Sequence, residues 1–213
     1  MVQILYEDNH ILVCVKPKGV LSQADGSDKS DMLTILKNYI KEKYNKPGNV
    51  YLGLVHRLDI NTSGVMVFAK TSKAASRLSD AIKMHEFKKR YKAVVEGTFP
   101  SLDTITLTHY IYKDEKEKKS YIREGGQESI LEYTQIRSYK IQNTPVTLVE
   151  IGLMTGRFHQ IRCQMAYIGH PLYGDKKYGS KNTISKEEFP LYAYCISFPH
   201  PITKEVLTFS MEE

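Results

Sequence analysis

Cysteine is scarce in this chain and badly placed for cross-linking or metal binding. The three, Cys14, Cys163 and Cys195, are odd in number, far apart and without a C-x-x-C pair. That pattern argues against a disulfide framework and a zinc site and suits a reducing cytosol. Cys14 in ILVCVK and Cys195 in LYAYCISF lie in strand-like runs and read as small buried hydrophobes. No apolar run approaches the length of a membrane span. The opening residues, MVQILYEDNH, lack the basic-then-apolar order of a signal peptide. Internal repeats, low-complexity tracts and a convincing phosphate-binding glycine-rich loop are missing too.

The 213 residues, 41% of them hydrophobic, suffice for one sizeable core, at most divided between two lobes. Charged residues make up 25%, an ordinary globular value, so disorder is not expected. The net charge of +6 suggests an acidic partner, of which nucleic acid is the commonest, although many lysine-rich proteins bind none.

ILVCVKP, from Ile11 to Pro17, reads as a buried strand stopped by Pro17 and Gly19. Asp31 can cap a helix in which Met32, Ile35, Leu36, Tyr39 and Ile40 follow at helical spacing. VMVFAK is a strand. Thr71 or Ser72 can cap a second helix, with Ala74, Ala75, Leu78, Ala81, Ile82 and His85 on one face. RYKAVVEG, DTITLTHYIY, VTLVEIGL, LYAYCISF and VLTFS read as further strands. Residues 113–129, the most polar part, read as a mobile hairpin or loop. A third helix is expected from near Arg157, with Ile161, Met165 and Ile168 on one face and Gly169 and Pro171 as its stop. Strands outnumber helices and several adjoin without crossover helices, which predicts an α+β class with a mainly antiparallel sheet.

Three segments carry the candidate chemistry. In VHRLDINTSG, Asp59 sits beside Arg57 and His56 just before a strand. Held near guanidinium groups it stays ionised at neutral pH, ready to act as nucleophile, base or ion-pair partner; equally, it can serve only to cap the turn through Asn61 to Gly64. In GLMTGRFHQIRCQM, Arg157, His159, Gln160 and Arg162 crowd the start of a helix, where cations oppose the dipole. Phosphate contact or a buried carboxylate would explain them; a pair of surface arginines is the plain alternative. In KKRYKAVVEG, Tyr91 follows Lys88, Lys89 and Arg90, an arrangement that can stack a base and hold phosphates, or simply a core tyrosine after a basic run.

HRLDINTSG, RYKAVVEG and GRFHQIR, in this order, resemble the RluA family of pseudouridine synthases. LVCVKPKGVLSQ is similar to that family's opening motif, and HPLYGDKKYG and LYAYCISFPHP to its later ones, so the resemblance runs from about Leu12 to Pro201. One departure is Tyr192, where the family often has His. The resemblance implies an α+β pseudouridine synthase fold: a mixed, mainly antiparallel central sheet flanked by helices, with two lobes and a cleft across the sheet. It implies isomerisation of particular uridines to pseudouridine in structured RNA, tRNA or rRNA, without cofactor or metal. Asp59 matches the essential aspartate, Tyr91 the tyrosine beneath the target base, and Arg162 the basic residue paired with the catalytic carboxylate. Arg57 matches the arginine that fills the gap left by an extruded uridine. Lys88, Lys89, Arg90 and Arg157 are the further expected RNA contacts. His56 and His159 are expected in structural hydrogen bonds. The opening motif begins so near the start that one catalytic domain over residues 1–213 is expected, with no upstream RNA-binding domain, acting as a cytosolic monomer with no membrane partner. An RNA-binding protein of the same fold without catalysis, or a hydrolase releasing free uracil, are the competing expectations.

Overall fold

A computed structural model describes residues 2–185 and 188–211. In chain order the strands and helices are β1 (Gln3–Glu7), β2 (Ile11–Lys16), α1 (Met32–Lys43), β3 (Gly53–Leu54), β4 (Ser63–Ala69), α2 (Ser72–Lys83), β5 (Lys88–Glu96), β6 (Ile105–Asp114), β7 (Lys119–Ile122), β8 (Gln127–Ile141), β9 (Thr144–Leu153), α3 (Gln160–Tyr167), β10 (Leu191–Pro199) and β11 (Val206–Ser210). A 3-10 turn occupies Lys176–Tyr178. The chain forms two compact units. One comprises Met1–Lys88 and Ala193–Glu213; the other is Lys89–Tyr192.

In the first unit β2 and β4 run antiparallel, Ile11 opposite Ala69 and Val15 opposite Val65. Ile11–Cys14 and Val65–Ala69 are all fully buried. A strand covered on both faces needs apolar side chains at every position rather than at alternate ones, which is why these segments are continuous hydrophobic runs. Val13, Val65 and Val67 meet Ala74 and Leu78 of α2, together with Phe87 and Phe198. The expected caps are in place: Asp31 Oδ1 accepts from the Thr34 N–H at 3.1 Å, and Thr71 Oγ1, rather than Ser72, accepts from Ala74 at 3.1 Å.

The second helix stops two residues earlier than its periodicity suggests. His85 leaves the helical face because it takes a left-handed backbone, φ 58°. The Glu86 N–H then reaches the Ala81 carbonyl (2.9 Å) and the His85 N–H the Ile82 carbonyl (3.2 Å). These two bonds satisfy the last carbonyls of the helix.

The second unit is an antiparallel array in the order β5-β9-β8-β6-β7. The polar stretch 113–129 contains one ordered hairpin, β6–β7, with Lys113 opposite Ser120 and Tyr112 opposite Tyr121, after which the chain returns as β8 on the other side of β6. The third helix begins at Gln160, not Arg157, and is short. Gln160 to Met165 are all buried, so it is enclosed on several faces rather than along one apolar stripe. Among the described residues no helix is long and apolar enough to cross a membrane.

Candidate active site

Asp59 lies between β3 and β4 in a segment whose main-chain groups are held by Ser22, Lys16 and neighbouring backbone. Just before it, Ser22 clamps the buried Leu58 from both sides: Ser22 Oγ accepts from the Leu58 N–H at 3.0 Å and donates to the Leu58 carbonyl at 2.9 Å. The Asp59 carbonyl accepts from Thr62 at 3.0 Å, closing the turn. The next carbonyl, of Ile60, accepts from the Gly19 N–H at 2.8 Å and from Lys16 Nζ at 3.2 Å. Gly64 then enters β4 at φ 144°, with the Ala193 carbonyl only 2.3 Å from where a Cβ would stand. Only glycine fits there, so the final residue of HRLDINTSG is dictated by a close backbone approach.

Lys16 is the residue of this region that sequence reasoning missed. It ends the apolar strand β2 and is fully buried. Its ammonium donates to the carbonyls of Pro17 (2.9 Å), Val20 (2.7 Å) and Ile60 (3.2 Å). Burial pushes its pKa down to about 8, and the nearby Asp59 opposes that shift. The lysine therefore remains charged at neutral pH and contributes a fixed positive field to the aspartate. A charged residue closing an otherwise buried strand was the available signal.

Arg57 is exposed, whereas His56 is structural: its Nε2 accepts from the Val67 N–H at 3.1 Å, and its ring lies 5.2 Å from that of Phe87.

In the second unit, Tyr91 is buried on β5 opposite Ile151. Strand alternation puts Lys89 on the same face as Tyr91, and Lys88 and Arg90 on the other. Lys89 is half-buried, burial lowers its pKa, and a Cβ on Gly156 would stand 3.2 Å from its Nζ. Arg90 instead forms an ion pair with Glu150 of β9, while Lys88 is exposed. The basic run is thus split: of its three cations, Lys89 is the one turned toward the tyrosine and the glycine–arginine loop.

That loop is tied to β8. Arg157 is exposed, but its Nε donates to the Glu128 carbonyl at 3.1 Å and its N–H to Gln160 Oε1 at 3.0 Å. Gln160 Nε2 in turn donates to the Ile130 carbonyl at 3.1 Å. Arg162 is buried on α3. Its Nε and Nη2 fork onto Asp175 at 2.6 and 2.8 Å, and its Nη1 donates to His159 Nε2 at 2.8 Å. The cation at this helix start is therefore explained by a buried carboxylate. That carboxylate is Asp175, in HPLYGDKKYG, a residue to which the sequence reading assigned no role. His159 is structural as well, with its pKa pushed down to about 3 by burial and by the charges of Arg162, Lys177 and Lys113.

Residues 10–167 match the family model described as RNA pseudouridylate synthase. An uncharacterized RNA pseudouridine synthase of Aquifex aeolicus is 33% identical over 100% of this chain and 69% of its own length. Ribosomal large subunit pseudouridine synthase D of Pseudomonas aeruginosa is 33% identical over 94% of this chain and 65% of its own. The chain thus spans about two thirds of the length of these relatives. Among solved structures, human RNA Pseudouridylate Synthase Domain Containing 1 superposes with a TM-score of 0.76 at 23% identity. That match covers 100% of this chain and 84% of the human one, a likeness of fold.

Proposed function

This chain belongs to the RNA pseudouridylate synthase family, whose motifs are those of the RluA group, and from that premise we propose that it isomerises particular uridines of tRNA or rRNA through Asp59. In the reaction the N1–C1′ bond of uridine breaks, the uracil turns, and a C5–C1′ bond forms. The C5 hydrogen leaves as a proton and N1 gains one, so nothing is consumed and no redox partner is required. The observation that carries the role of Asp59 is its mounting: a turn fixed through its main-chain groups, next to a buried ammonium that favours the ionised carboxylate.

The remaining residues follow from what the reaction demands. A uridine within folded RNA hides its sugar and ring, so it must be flipped out. Arg57, exposed two residues before Asp59, fills the vacated stack with its planar guanidinium. Tyr91 offers a buried ring on which the detached uracil turns, and Arg162, held by Asp175 and His159, is by the family resemblance the cation assigned to the Asp59 carboxylate. Lys89 and Arg157 meet phosphates beside the same loop, with Lys88 and Arg90 on the opposite strand face. We take the protein to act as a cytosolic monomer.

The experiment is carbodiimide mapping of pseudouridine in tRNA and rRNA from cells with and without this protein. Loss of one or a few defined positions on deletion is the expected result and names the target. An unchanged map, with purified protein that binds RNA but leaves every uridine intact, would convert the reading to RNA binding without catalysis.

A further inference from the structure

We propose that Asp175 is the positioning residue of Arg162, acting with His159 and Tyr178 as one directed set of hydrogen bonds; the inference rests on the role given to Arg162 above. Three of the five guanidinium donors are assigned by geometry. Nε and Nη2 meet the two oxygens of Asp175, and Nη1 meets His159 Nε2. Because Nε2 accepts, the neutral imidazole must carry its proton on Nδ1. Nδ1 lies 3.0 Å from Tyr178 Oη, so the histidine donates to the phenol. The same oxygen accepts from the Ser120 N–H at 2.8 Å. Every donor and acceptor in the series has one possible direction, from Arg162 to Asp175 on one side and through His159 to Tyr178 on the other.

Three observations separate this set from an ordinary buried ion pair. The guanidinium also lies over two rings, 4.9 Å from the centroid of Tyr178 and 5.4 Å from that of Phe189. Burial and neighbouring cations keep His159 neutral, so it remains an acceptor for Arg162 across the physiological range. Finally, His159 takes a left-handed backbone, φ 51°, at the residue that caps α3. The left-handed region is uncommon for a residue with a Cβ, although histidine enters it more readily than most. Here the left-handed cap delivers the imidazole to the arginine three residues on. The orientation of Arg162 is thereby set before any RNA arrives, which is what preorganised stabilisation of a reacting carboxylate requires.

The test uses the purified full chain and an RNA that the wild type modifies, with kcat, KM and thermal midpoint measured together. Asp175→Asn keeps the shape but removes the charge and one acceptor. It should lower kcat by about 10- to 100-fold with KM within about twofold, since a misplacement of about 1 Å is enough for such a loss. Tyr178→Phe keeps the ring and removes only the hydroxyl; kcat should fall by about three- to tenfold at an almost unchanged midpoint, a smaller loss because only one link is cut. Asp175→Glu should recover part of the loss by restoring the charge. If Asp175→Asn does not fold, Tyr178→Phe decides alone. Wild-type kcat per folded molecule in Tyr178→Phe, or in a folded Asp175→Asn that merely melts lower, would reduce the set to scaffolding and overturn the proposal. Failure of the underlying reading looks different: Arg162→Met or Asp59→Asn would be fully active in the same assay.

Discussion

Each of the two compact units buries one cation near its candidate residues, and the two are satisfied in opposite ways. In the first, Lys16 offers a compact ammonium to three main-chain carbonyls, two from its own loop and one from the residue after Asp59. In the second, Arg162 offers a planar fork to the side chains of Asp175 and His159. A point charge with rotatable donors suits carbonyls converging from a curved backbone, whereas a rigid fork suits a carboxylate. The lesson is that the aspartate-bearing turn is held by the path of the chain, and the arginine by the identity of particular residues.

The contrast predicts unequal sensitivity. Arg162→Met leaves Asp175 buried without its counter-charge and should destabilise the protein by about 3–5 kcal/mol, read from urea unfolding. Lys16→Met keeps the volume and leaves three carbonyls short of one donor group; a smaller cost of about 1–3 kcal/mol is expected by the same measurement. Equal costs for the two would break the comparison, and a larger cost for Lys16 would invert it.

A finer probe is pH. His159 has its pKa lowered from 6.5 to about 3 in the folded state, so on acidification the unfolded chain takes up a proton that the folded one refuses. Its contribution to stability is complete above pH 6.5 and is lost progressively as pH falls toward 3. By pH 5.5 the loss should be about 1–2 kcal/mol. His159→Asn, which tolerates the left-handed backbone, should remove that part of the acid slope; an unchanged slope would mean that the imidazole is not the group refusing the proton. The smallest expected effect is that of a single phosphate contact. Lys89→Ala should weaken RNA affinity modestly and reduce the slope of log affinity against log salt by about one, while Arg90→Ala, whose charge is shared with Glu150, should change it less.

How much of this could be read from the residues alone follows the same division. The continuous runs of β2 and β4, the cap Asp31, the choice of Thr71 or Ser72 as the second cap, and the strand at β5 were legible because local chemistry determines them. In 113–129 a hairpin was legible as one of two readings, but its register was not, because lysine and glutamate dominate the stretch while the pairing, such as Lys113 opposite Ser120, is set across strands. The long strand β8 and the short strand β1 went unread: each mixes polar and apolar residues on faces that only its neighbours define. Among the candidate residues, Asp59, Tyr91 and Arg162 stood out by their motifs. Lys16 and Asp175 were not, because a lysine satisfied by carbonyls has no partner residue to find, and the partner of an arginine thirteen positions away in HPLYGDKKYG is known only once the chain has folded.

The most direct test of the account is the release of the C5 hydrogen from RNA labelled at uridine C5, followed in single turnover with the wild type and with Asp59→Asn at matched folded concentration. The wild type should release label in proportion to pseudouridine formed, and Asp59→Asn should release at least about a thousandfold less while binding the RNA with near-normal affinity. Release by Asp59→Asn at anything near the wild-type rate would contradict the assignment of the reaction to that carboxylate.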